Sequence, residues 1–239
     1  MTLRVQRMMS GVLSLTVLLL TGCASTGGDV DPNDPYESFN RTMFSFNKGL
    51  DDAILGPIAG VYTDVTPAPA RTAIHNVFDN LSYLTTVVNQ VLQGKFERGM
   101  DDAGRFLFNS TFGLGGLIDF SSGLGLKRHD EDFGQTLAVW GVGEGEYLEL
   151  PFLGPTTMRD IPGIPVDSAT DLLTWTGNRT WDFVTSGVKL VDKRARLDSA
   201  IKLRDKSSLD PYVFQREAFL QRRRHLIYDG NPPLDTQNQ

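Results

Sequence analysis

The sequence predicts an all-α domain, and three observations carry that expectation. Apolar residues recur at three- and four-residue spacings through most of the chain from Asp34 onward. Helix punctuation brackets those stretches: Asp34-Pro35 and Asp210-Pro211 open two of them, and Gly94, Gly141 and Gly230 close three. Only Tyr147 to Phe152 alternates like a strand, and it does so weakly.

Before the domain comes an export segment. Arg4 and Arg7 precede an apolar block, Gly11 to Leu20, that is half the length of about twenty residues a helix needs to cross a bilayer. A charged start, a short apolar core and small residues form a secretion signal. Leu20-Thr21-Gly22-Cys23 resembles the bacterial lipobox, in which the thiol takes diacylglycerol, the chain is cut before it, and the new amino group is acylated. Residues 1–22 then form the signal, and the mature chain begins at Cys23. The N-acyl diacylglycerol on Cys23 is the one covalent group expected, with no other cofactor. Cys23 is the only cysteine, so no internal disulfide forms. Several acyl chains on one residue exceed the single chain that gives only marginal anchoring. Ala24 stands where lipoproteins kept on the inner membrane typically carry aspartate, so resemblance to the sorting pattern gives the periplasmic face of an outer membrane.

Loss of the signal removes two arginines and no acids, taking the net charge from −6 to −8. That balance argues against nucleic acid and against charge-driven membrane binding. Residues 23–33 read as a flexible tether. Asp29, Asp31 and Asn33 alternate like a calcium loop, but Asp34 replaces its turn glycine and Asn40 its closing glutamate.

Each element follows in order. Asp34 caps a first helix with Pro35 at its first position, and Phe39, Met43, Phe46 and Leu50 make one face, widened by Phe44. Glu37, Arg41, Ser45 and Lys48 take the other. Two readings fit: a core-facing helix, or a helix in the bilayer surface, apolar side down, held there by the tether. Pro57, Pro67 and Pro69 punctuate the next stretch. Ile74, Val77, Leu81, Leu84, Val88 and Leu92 mark a helix interrupted by Asn76, Asn80 and Asn89. Phe96, Met100, Ala103, Phe106 and Leu107 mark another, and the short break at Gln93-Gly94 makes the two an antiparallel pair. Gly113 to Arg128 is an apolar, glycine-rich loop hinged at Gly113, Gly115 and Gly116, and it matches no nucleotide-binding pattern. Asp130, Glu131 and Asp132 read as a solvated turn. A short helix over Phe133 to Trp140, the weak strand, a turn at Gly154-Pro155 and a short helix capped by Thr157 follow. Single helices are expected over 167–191 and 194–206, and a last one opens at Asp210-Pro211. Residues 34–228 form one domain, and 229–239 a polar tail.

Catalytic and metal-binding patterns are missing. His75, His129 and His225 lack ligand spacing, and no hydrolase elbow or metalloprotease motif occurs. The chain is therefore not expected to be an enzyme. Asn-x-Ser/Thr matches at Asn40, Asn80, Asn109 and Asn178 read as incidental behind a lipobox.

Several stretches together resemble the MlaA/VacJ outer-membrane lipoproteins. They are Phe39 to Asn47 ("FNRTMFSFN"), Arg105 to Asp119 ("RFLFNSTFGLGGLID"), Asp132 to Pro155 ("DFGQTLAVWGVGEGEYLELPFLGP"), Arg159-Asp160, Asp210 to Tyr212 and Arg216 to Arg223. The resemblance implies a single ring-shaped, membrane-embedded helical domain. It implies an amphipathic channel that moves mislocalised phospholipids from the outer leaflet of the outer membrane to a soluble periplasmic carrier, which feeds an inner-membrane ATP-driven complex. Its implied partners are phospholipids, the outer membrane, a trimeric porin and that carrier of the Mla pathway. Candidate membrane or lipid-path residues are Phe39, Arg41, Met43, Phe44, Phe46 and Asn47, with Gly113, Gly115 and Gly116 as the gating loop. The residues themselves also fit a structural lipoprotein that docks envelope proteins without moving lipid.

Overall fold

The structure, a computed structural model, describes residues 34–175 and 177–233. Cys23, the signal, the tether with its calcium-like triplet, and the tail beyond Pro233 lie outside the described residues.

Helix α1, Glu37–Leu50, runs through a π turn, Asp51–Leu55, into α2, Gly56–Val65. Pro57 therefore does not break the chain. Proline lacks an N–H and crowds the carbonyl one turn back, and the wider π turn relieves both. Asp34 is not the side-chain cap of α1. Tyr36 holds the cap position, and Asp34 is completely buried.

Helices α3, Ala68–Leu92, and α4, Phe96–Thr111, are antiparallel as expected. Gly99 packs on Gln90, Arg105 bonds Tyr83, and Ser110 bonds Asn80. Gly94, at φ 75°, makes the left-handed turn between them. A single turn, α5 (Phe120–Gly123), and α6 (Phe133–Val139) follow, capped by Asp119 and Asp132. Strands β1, Tyr147–Leu150, and β2, Gly154–Thr157, form an antiparallel hairpin pairing Tyr147 with Thr157 and Leu150 with Gly154. β2 replaces the expected turn at Gly154-Pro155. Proline is tolerated there because a two-stranded hairpin has only edges. After Thr157 the chain turns rather than forming a helix.

The long helix expected over 167–191 is instead α7, Gly163–Thr170, a 3₁₀ turn, Leu172–Trp175, and α8, Arg179–Arg196. Gly177 adopts φ 73°, and the Asn178 side chain accepts from Thr180 N and Trp181 N to start α8 anew. α9, Asp198–Ser207, and α10, Pro211–Ile227, complete the chain, the latter capped by Asp210 as its sequence foretold.

Packing closes on itself. α1 lies on β1, β2 on α10, α10 on α6, α6 on α3, α3 on α8, α8 on α2, and α2 returns through the π turn to α1. α9 bridges α8 and α10. The one buried aromatic cluster among the described residues, Phe44, Tyr147 and Tyr212, sits where α1, β1 and α10 meet, backed by Val213, Phe219 and Leu220.

Candidate functional site

The helices are turned inside out relative to a protein surrounded by water. Among the described residues, glycine aside, twenty polar or charged side chains are buried against seven apolar ones. Buried polar residues normally need an explanation, whereas scattered exposed apolar ones do not. In α3 the buried positions include Asn80, Tyr83, Thr86, Asn89 and Gln90, and in α4 they are Gly99, Asp102, Arg105 and Asn109. These follow helical spacing, so they form the seam where α3 and α4 meet. The apolar stripe of α4 faces away from it: Phe96 is 62%, Met100 75% and Leu107 60% exposed. Phe112, Leu114, Leu117 and Ile118 are likewise exposed in the loop that follows α4, and further apolar side chains stand exposed on α2 (Ile58, Val61, Val65) and on α8 (Trp181, Phe183, Val184). Exposed apolar side chains in such number mark interaction faces. No described helix is long and apolar enough to cross a membrane.

The candidate residues of α1 divide between the two sides. Phe39 and Phe46 point outward, and Phe46 packs edge-on against Phe152 at the tip of the hairpin. Phe44 points inward, 5.8 Å from Tyr212, although the sequence put it on the apolar stripe. Met43 is half-buried. Arg41 pairs with Glu37 at 2.6 Å and Asp210 at 2.8 Å and stacks over Tyr212. Asn47 donates to Glu149 Oε1 and the Leu150 carbonyl and accepts from Phe152 N, pinning α1 to the hairpin.

The glycine loop is ordered by its own hydrogen bonds. Gly115 N donates to Ser110 O, Gly116 N to Asn109 O, and Ile118 N to Gly113 O. Gly115 and Gly116 are left-handed, and a Cβ on Gly116 would lie 2.8 Å from Asn80 Cβ. Gly113 is buried against the Asn109 and Ile118 carbonyls. These two glycines serve close packing on α3 and α4, while Gly115 stands in open space.

Several buried charges find partners on other elements. Asp34 accepts from Asn40, Tyr212 and Arg216 (Arg216 Nη1 at 2.9 Å). Glu149 accepts from Tyr147, Asn47 and Gln215, all neutral, and burial pushes its carboxyl above the usual range. Arg105 forks onto Asp119 at 2.9 Å and bonds Tyr83 and the Leu126 carbonyl. Glu131 is buried with Gln93 and Lys95, and Asp132 is clasped by Arg223, which also meets Asp160 at 2.9 Å. The expected solvated turn at Asp130–Asp132 is therefore a structural joint for two of its three acids. Asn40, Asn80 and Asn109, three of the four glycosylation-like matches, are interior. The sequence reading missed this interior. The available signal was the regular spacing of Asp102, Arg105 and Asn109, a polar face as periodic as the apolar one. No group of three or more metal-ligating side chains gathers among the described residues.

This arrangement presents hydrocarbon outward and polar groups inward, which suits a molecule that is both. The family model described as MlaA lipoprotein matches residues 32–226. The intermembrane phospholipid transport system lipoprotein MlaA of Escherichia coli (strain K12) is 39% identical over 91% of this chain and 88% of its own. The protein of the same name from Haemophilus influenzae is 36% identical over 90% and 89%. A solved structure described as "Structural basis for maintenance of bacterial outer membrane lipid asymmetry" superposes with a TM-score of 0.71 at 38% identity, covering 83% of this chain and 99% of that one. With a family model spanning most of its length and such relatives across nine-tenths of it, the chain belongs to the MlaA lipoprotein family.

Proposed function

We propose that this protein moves phospholipids between membranes, removing misplaced ones from the outer leaflet of the outer membrane through a polar-lined passage and handing them to a periplasmic carrier. One observation carries the reading: apolar side chains face out over a closed circuit of helices whose buried contacts are largely polar. A phospholipid head group is costly to drag through hydrocarbon, because its polar atoms lose their hydrogen bonds. A polar wall beside apolar surface lowers that barrier without a nucleophile or a nucleotide, so the role is non-catalytic. Acylation at Cys23 would tether the domain, and the outward faces of α1, α2, α4 and α8 would seat it in the periplasmic leaflet. The match to lipid-transport lipoproteins supports this assignment. A trimeric porin and a soluble carrier are the partners the family resemblance implies.

The test is reconstitution of the acylated protein in vesicles with labelled phospholipid and an acceptor carrier. Transfer should rise well above protein-free vesicles. Equal transfer with and without the protein would favour the docking role instead.

A further inference from the structure

The last turns of α2 and α8 and the first turns of α3 border a cavity of about 300 Å³. Tyr62 and Thr63 line it from α2, Arg71, Thr72 and His75 from α3, and Asp192 and Arg196 from α8. Arg71 and Thr72 stand four and three residues before His75, so the three share one side of α3. Most of the charge here is paired. Arg196 Nε meets the buried Asp192 at 3.0 Å, and Tyr62 donates to the same carboxylate at 3.1 Å. His75 Nε2 lies 3.1 Å from Asp79, which Arg128 also clasps. Arg71 differs. Its Nη1 donates to the Thr63 and Thr66 carbonyls at the end of α2, and it has no ion pair among the described residues. Carbonyl oxygens orient the guanidinium but carry only partial charge, so most of its positive charge remains. Its Nε and Nη2, and Nη2 of Arg196, make no hydrogen bond among the described residues and stay available to a guest.

The rest of the wall narrows the choice of guest. Thr63 Oγ1 donates to the Ala59 carbonyl at 2.8 Å and Thr72 Oγ1 to the Ala68 carbonyl at 3.1 Å. Each hydroxyl has spent its proton on its own helix and offers only lone pairs. The cavity therefore sets guanidinium donors beside hydroxyl acceptors. Apolar surface adjoins it. Ile58 stands four residues before Tyr62 and Val65 three after it, so all three share a side of α2, and the two aliphatic chains are 47% and 72% exposed. A cavity of this volume is at the lower size of pockets that hold small ligands. It suits a head group, and acyl chains would lie outside it. The chain is acidic, at −6, so an unneutralised cation in a cavity is not a general property of its surface. One uncompensated positive charge calls for one negative charge, and a phosphodiester carries one.

We infer that this cavity between α2, α3 and α8 is a phospholipid head-group site, with the phosphodiester on Arg71 and Arg196 and the acyl chains leaving past Ile58 and Val65. Guanidinium groups bind phosphate oxygens by charge-assisted hydrogen bonds. The Thr63 and Thr72 oxygens accept from a hydroxyl or ammonium on the head group. Asp192 competes with the phosphate for Arg196, which keeps the site from trapping its guest.

This inference rests on the lipid-transport reading, and the experiment separates the two. The full-length acylated protein in detergent is mixed with dioctanoyl phosphatidylglycerol, and bound lipid is counted by native mass spectrometry. Arg71→Gln removes the charge but keeps an N–H donor for the α2 carbonyls. It should bind roughly tenfold less phosphatidylglycerol than wild type, the effect of losing charged hydrogen bonds. Binding of dioctanoylglycerol, which has the chains but no phosphate, should not change. Val65→Ser, at an exposed position, should weaken binding of both lipids together. An equal concentration of inorganic phosphate should leave the lipid in place; displacement would make this a free-anion site and overturn the assignment to lipid. Equal phosphatidylglycerol binding by Arg71→Gln, or parallel loss of both lipids in that variant, would also overturn it. If wild type moves labelled phospholipid and Arg71→Gln binds as wild type does, only the head-group site falls. If wild type neither binds nor moves phospholipid, the transport reading falls with it.

Discussion

Two regions of this molecule are held together by opposite means. Where α1, β1 and α10 meet, Phe44, Tyr147 and Tyr212 are buried edge to face, a small apolar cluster of the usual kind. Along α3 and α4, the seam is made of Asn80, Gln90, Asp102, Arg105 and Asn109, and Phe96, Met100 and Leu107 face outward. The first gains from leaving water. The second gains little from water at all, since its apolar surface stays exposed and its polar groups bond one another. A hairpin built this way is stable where its surroundings are hydrocarbon. There an unpaired polar group is costly and an exposed methyl is free.

That contrast can be broken at either region. The largest effect is expected in the polar seam. Arg105→Ala strips the half-buried Asp119, the buried Tyr83 hydroxyl and the Leu126 carbonyl of their partner and should cost about 4 kcal/mol in detergent unfolding, since several hydrogen bonds to one charged group are lost together. A loss below 1 kcal/mol, about what an exposed pair is worth, would show that the seam is not held by its charges. In the aromatic cluster, Phe44→Ala should cost about 3 kcal/mol through the cavity it leaves. An unchanged unfolding temperature would mean that the cluster collapses to fill it. Met100→Asp sharpens the comparison further. On a water-facing surface it would change stability by under about 0.5 kcal/mol. Facing hydrocarbon, it should cost about 2.5 kcal/mol of membrane affinity and shift the protein away from floated vesicles. Unaltered flotation would remove α4 from the membrane face.

The smallest effect concerns protons at the joint between α6 and α7. Burial first, and then the Asp132 carboxylate, hold Asp167 at about 6 against an ordinary 3.8. It accepts from Phe133 N at 3.0 Å and from Asn89. An acid whose pKa rises on folding binds its proton more tightly when folded. Its contribution to stability is therefore complete below pH 3.8 and is lost as pH rises through about 6. Asp167→Asn should flatten the fall in unfolding temperature across that window. Parallel curves for the two proteins would mean that other groups set the slope.

Much of the helical plan was legible in the residues. The capped start at Asp210-Pro211, the left-handed turn at Gly94 and the antiparallel pairing of α3 with α4 follow from local rules about backbone freedom and side-chain oxygens. The second strand was not legible. Gly154-Pro155-Thr156-Thr157 has turn composition, and only pairing with Tyr147–Leu150 makes it a strand. The break at Gly177-Asn178 could have been read from its glycine and capping asparagine, but the apolar periodicity on both sides masked it. Among the candidate residues, Phe44 turned inward, because the stripe it belongs to on paper is wider than the face it covers in space, and Gly113 and Gly116 are buried where their loop packs back on α3 and α4.

What the sequence determined by itself is most of the helices and their two-sidedness, because periodicity and capping act over a few residues. Which side faces inward was decided only in the tertiary structure. A helical wheel has an apolar and a polar face whatever surrounds it. Burial of the polar one follows when Asp34, Arg105, Glu149 and Arg223 find partners up to 182 residues away along the chain, and no local pattern encodes a partner at that distance.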